Sequence, residues 1–139
     1  MPNPPDESPD VRPVVHVLVS EPFFRDRVVD TLRALVLEPM VGDWELDQEA
    51  FIEAVASTPA QGVVLDLEEK EGDAMAVLRA LREDERTADW HWLTFCSHEE
   101  EELVEDSARL GIAAVPRSTF ASTLVRLLQA FHDQAEDPA

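Results

Sequence analysis

The chain has 139 residues, one domain's length, and its 30 Asp and Glu against 11 Lys and Arg give a net charge of -19. One lysine, Lys70, beside ten arginines leaves no clustered basic surface for a nucleic-acid backbone, and the lone Cys96 excludes an internal disulfide. No apolar stretch approaches the roughly 20 residues that cross a bilayer, and no basic leader precedes an apolar run, so neither nucleic acid nor membrane is expected as a partner and the expected location is cytoplasmic.

Residues 1–13 hold five of the ten prolines and four acids or serines, too few apolar side chains to repay ordering, and are expected to form a flexible arm. Residues 132–139 are expected to be a flexible tail for the same reason. The folded part is therefore set at 14–131. It opens with the β-branched run Val14 to Val19, which suits a strand covered on both faces. Pro22 then stands at a first helical position, and Phe24, Val28, Leu32 and Leu35 recur at helical spacing.

The pattern repeats along the chain. Pro39 to Trp44 reads as a second strand, and Asp47 caps a helix that turns Phe51, Ile52 and Val55 inward. Gly62 to Leu67 is a third strand, followed by a helix with Ala74, Val77, Leu78 and Leu81 on one face. Trp90 to Cys96 is a fourth strand, with Trp90 and Trp92 on one side of it. An acidic helix from Glu99 to Leu110 follows and stops at Gly111. Ile112 to Val115 is a short fifth strand, and Ser118 or Thr119 caps a last helix carrying Leu124, Leu127, Leu128 and Phe131.

Five β-α pairs in strict alternation predict an α/β fold of three layers, a doubly wound five-stranded parallel sheet. In such sheets the chemistry gathers at the carboxyl ends of the strands. That edge brings together Ser20 and Glu21, Asp66, Cys96-Ser97-His98, and Pro116-Arg117-Ser118.

This order of elements, with Val63-Val64-Leu65-Asp66-Leu67 and the helix Ala76-Val77-Leu78-Arg79-Ala80-Leu81-Arg82, resembles the receiver domain of bacterial response regulators over 14–131. Ser97-His98 and Pro116-Arg117-Ser118-x-Phe120 are similar to a subgroup of atypical, stand-alone receiver-like proteins. The resemblance implies the CheY/flavodoxin-like strand order 2-1-3-4-5 and makes Asp66 the phosphoacceptor position. It matches Cys96 or Ser97 to the family's Ser/Thr and Arg117 to its Lys, with the basic residue after the proline instead of before it.

Phosphoryl transfer to a carboxylate needs a cation to screen two anions. The acidic pair with which receivers hold Mg2+ reads Val19-Ser20 here, so Glu21 and Asp66 are left as a weak Mg2+ pair and no cofactor is otherwise expected. Ahead of Pro22, Glu21 equally suits a helix cap. Arg117 is expected to reach Asp66 or the Ser97-His98 turn as a permanent cation. Glu68, Glu69, Glu71 and Asp73 crowd the loop after Asp66 and repel a phosphodonor, and Cys96 reads as a buried apolar thiol. No Gly-rich phosphate loop follows the first strand, which argues against a flavodoxin-like cofactor.

The function expected is that of a degenerate receiver, a non-enzymatic protein-interaction module in signalling. It would be a monomer or weak homodimer that meets its partner through the fourth helix, fifth strand and fifth helix. The alternative is a working receiver phosphorylated on Asp66 in a two-component phosphorelay.

Overall fold

The β-branched run after Pro13 forms β1 (Val14–Leu18), and Pro22 opens α1 (Pro22–Ala34). The computed structural model describes residues 12–136, so all but the last two residues of the expected N-terminal arm, and 137–139, lie outside the described residues. After α1 come β2 (Glu38–Val41), α2 (Gln48–Ala56), β3 (Gly62–Asp66), α3 (Ala74–Glu83), β4 (His91–Cys96), α4 (Glu101–Arg109), β5 (Ala114–Pro116), α5 (Arg117–Ser122) and α6 (Leu124–Glu136). All strands are parallel and the sheet order is β2-β1-β3-β4-β5. The doubly wound fold read from the alternation is the one observed.

Alternate side chains of the buried strands feed two cores. Val15, Val17, Val64, Leu93 and Phe95 pack with Val28, Leu32, Phe120, Leu128 and Phe131, which places α1, α5 and α6 on one face. Leu18, Val63 and Leu65 pack with Phe51, Val55, Val77 and Leu78, which places α2, α3 and α4 on the other, and Trp44, Trp90 and Trp92 all belong to that side. Gly62 permits the close approach of β4 to β3. A Cβ there would lie 2.1 Å from the His91 carbonyl oxygen.

Several boundaries differ from the sequence expectation, and three of the larger differences have a local reason. β2 ends at Val41 because Asp43 Oδ1 accepts the Glu45 N–H and turns the chain, and Trp44 leaves the sheet to stack on Phe51 at 4.2 Å. β5 starts at Ala114, since the Ile112 N–H is spent on Ser107 O while Gly111, at φ 83, closes α4. The expected single last helix begins at Arg117, ahead of Ser118, and breaks at Thr123. There Ser122 Oγ and Thr123 Oγ1 both donate back to the Thr119 carbonyl. Finally, α6 runs to Glu136, past the 131 boundary expected for the folded part.

Candidate functional site

The parallel sheet brings the ends of β1, β3, β4 and β5 to one edge. A cleft of ≈ 440 Å³ opens there, lined by Ser20, Glu21, Asp66, Glu68, Glu69 and Arg117 among others. Asp66 is the last residue of β3 and only 4% exposed. Arg117 is the first residue of α5, and its side chain passes over the end of β4 to reach β3.

Arg117 Nη2 donates to Asp66 Oδ1 at 3.1 Å and to Glu68 Oε1 at 2.7 Å. Its guanidinium carbon lies 5.0 Å from the ring centroids of both Phe24 and Phe95, and Phe95 stacks on Phe120 at 4.0 Å. Aromatic faces and carboxylates together fix a planar, permanently charged group where a flexible ammonium would wander. Asp66 Oδ1 also accepts the Glu68 N–H at 2.9 Å, and Glu68 Oε1 accepts the Ser97 N–H at 2.7 Å. Asp66, Glu68, Ser97 and Arg117 thus form one connected network.

On the opposite side of the loop, Glu69 accepts the Ser20 N–H at 2.9 Å and the Ser20 hydroxyl. Neighbouring glutamates therefore tie the loop after β3 to the ends of both flanking strands, β1 and β4. In sequence these acids register only as repulsive crowding, whereas in the fold Glu68 and Glu69 each meet donors. The signal available was positional: acids that follow Asp66 directly must face the one arginine expected at the same edge.

The electrostatics follow from burial and pairing. Burial pushes the Asp66 carboxyl above the ordinary aspartate range, outweighing the Glu68 N–H and Arg117, which pull it down. Burial acts on Glu68 in the same sense, but Arg117 and the Ser97 N–H overcome it and hold that carboxyl below its usual value. Burial and the nearby Glu68 charge raise the Cys96 thiol, which packs at 1% exposure in the apolar core. At the neighbouring Ser97 the main-chain N–H faces Glu68, while the Ser97 hydroxyl accepts the Glu99 N–H at 3.3 Å.

Glu21 and Asp66 line the same cleft, and each is already bonded within the protein. Glu21 Oε1 and Oε2 accept the N–H groups of Phe24 at 2.9 Å and Phe23 at 3.2 Å, making Glu21 the cap of α1. Among the described residues no three His, Cys, Asp or Glu side chains are grouped to hold a metal. The cation beside Asp66 is Arg117. A hard divalent ion bound at Asp66 would have to compete with a guanidinium already bonded to two carboxylates.

The sheet order and its helical layers correspond to known structures. A sensor protein from Polaromonas sp. JS666 superposes with a TM-score of 0.67 at 22% identity, covering 89% of this chain and 99% of that one. The chemotaxis response regulator CheY4 of Vibrio cholerae gives 0.70 at 14% identity, covering 87% and 99%. The receiver domain of the sensor histidine kinase PA1611 from Pseudomonas aeruginosa PAO1, solved with a magnesium ion coordinated in its active site cleft, gives 0.69 at 14% identity, covering 87% and 98%. The chain has the receiver-domain fold. No protein-family model matches it, and no curated protein matches it in sequence. Within the receiver fold, Asp66 stands at the end of the central strand β3, and no helix among the described residues is long and apolar enough to cross a membrane.

Proposed function

We propose that this chain is a receiver-like module of two-component signalling that works by recognising a protein partner, without magnesium-dependent phosphorylation of Asp66. One observation carries the reading: the Arg117 guanidinium is bonded to Asp66 and Glu68 at once. An attacking carboxylate must be ionised and must meet a cation that also draws in the phosphodonor. Here the Asp66 Oδ1 already accepts two donors, and the adjacent positive charge is neutralised by Glu68. The receiver fold of the neighbours and the strand-end place of Asp66 support the signalling class.

The recognition surface proposed is α4 with β5 and the α5–α6 pair. Glu101, Glu102 and Glu105 are exposed along α4, and a field of that sign steers a basic partner. Binding through it should weaken as salt rises.

The test is incubation with acetyl phosphate and Mg2+ followed by intact mass. An unchanged mass is expected. Gain of one phosphoryl group that disappears in Asp66→Ala would overturn the reading and establish the chain as a phosphoacceptor.

A further inference from the structure

The donors at the strand-end edge converge on an atom that belongs to the chain itself. Ser97 N–H and Arg117 Nη2 each reach Glu68 Oε1 at 2.7 Å. A main-chain N–H and a guanidinium meeting one oxygen is the arrangement that binds an oxyanion, since both are charge-assisted donors with fixed directions. Each also has a support other than Glu68. Ser97 follows directly on β4, and Arg117 is held by the rings of Phe24 and Phe95.

Glu68 in turn is anchored at both ends, its N–H on Asp66 Oδ1 and its carboxylate on the two donors. We propose that the Ser97 N–H and Arg117 form an oxyanion site whose resident ligand is the Glu68 carboxylate, a tethered anion standing where a phosphoryl group on Asp66 would seek its donors. The class of free ligand that the site takes once the tether is removed is a small tetrahedral oxyanion. Because Glu69 fastens the same loop to Ser20, the resident anion also keeps the loop after β3 closed over β1 and β4 without any modification of Asp66. This inference rests on the reading of Asp66 as a position that is not phosphorylated.

The experiment is titration of 15N-labelled protein with inorganic phosphate at constant ionic strength, in the absence of Mg2+ and of any phosphodonor, reading the Ser97 amide resonance. A tethered carboxylate competes at a high effective concentration, so Glu68→Ala should bind phosphate at least about tenfold more tightly than the unaltered chain. The Ser97 shift should be saturable and should be lost when Arg117→Gln is added. Glu68→Gln, which keeps the shape and removes the charge, serves if Glu68→Ala does not fold, and it too must bind phosphate more tightly than the unaltered chain. Equal affinity with and without the Glu68 charge, or a Ser97 amide unmoved at saturation, overturns the inference. Phosphorylation of the unaltered chain by acetyl phosphate would strike only the reading beneath it, because the titration reports the donors alone.

Discussion

Arg117 Nη2 lies 3.1 Å from Asp66 Oδ1 on a side chain that leaves the end of β5 and spans β4 to reach β3. The pair ties together three neighbouring strands at the edge where receiver folds place their chemistry. Its geometry is set from outside the pair, by the rings of Phe24 and Phe95 beside the guanidinium and by Glu68 at its tip. Arg117 is therefore a structural cation first, and its removal is felt by two carboxylates together.

Arg117→Ala is accordingly expected to lower stability by about 2 kcal/mol, less than for a fully buried pair because Arg117 and Glu68 are each 28% exposed. Arg117→Lys should lose about 1 kcal/mol, since a point charge cannot satisfy both carboxylates and stacks less well on aromatic rings. Urea unfolding of the three proteins checks both values. A lysine variant as unstable as the alanine variant would mean that the planar fork is essential and the charge alone is not.

Asp66 has the opposite influence on stability. Burial leaves its folded pKa above its ordinary 3.8, so the folded chain binds a proton that the unfolded chain releases, and ionised Asp66 subtracts from stability. That cost is fully present above the raised pKa and fades as pH falls through it. Asp66→Asn keeps an acceptor for Arg117 and the Glu68 N–H and is expected to gain about 1 kcal/mol at neutral pH, with the gain vanishing near pH 3.8. Denaturation of both proteins across that range gives the difference directly.

His16 is buried in β1, with Nε2 3.0 Å from the Thr58 carbonyl and its ring stacked on Trp90 at 5.2 Å. Burial depresses its pKa against the raising effect of that carbonyl, so the folded chain keeps it neutral. A depressed histidine adds stability that is present above 6.5 and lost as pH falls through its folded pKa. The unfolding free energy should therefore decline on acidification from pH 6.5, and His16→Phe should remove up to about one proton of that dependence. His91, also depressed by burial, accounts for a further part.

Val36 carries a strain that one substitution relieves. It follows α1 at φ 64, the left-handed conformation of a helix-ending cap, with the Leu37 N–H bonded to Leu32 O at 2.9 Å. A β-branched residue is costly there, and Val36 is 52% exposed, so little packing is lost by removing it. Val36→Gly is expected to raise stability by about 1 kcal/mol, or a few degrees in Tm, measured by calorimetry.

The fold was legible in the sequence because its strands are the buried kind: Val14 to Leu18 and Gly62 to Asp66 carry β-branched side chains on both faces, and each is followed by a helix-period face. Boundaries were less legible where a side chain captures the backbone, as Asp43 does after β2 and Thr123 before α6. At the edge, Arg117 and Asp66 were readable from strand order alone. The roles of Glu68 and Glu69 were not, because composition registers an acid as a charge and says nothing of which donor it meets across 29 or 49 residues of sequence. The Phe24 and Phe95 platform was hidden for the same reason, since an aromatic in a helix face or a strand registers only as core.

The chain has no tyrosine, and its three tryptophans all sit on the α2, α3 and α4 side of the sheet. Intrinsic emission is thus a one-sided reporter. It will register a ligand docking beside α4 or the loosening of that layer, while fraying of α1 or α6 passes unseen. Comparing emission with far-ultraviolet dichroism during melting would therefore show whether the two layers come apart in concert.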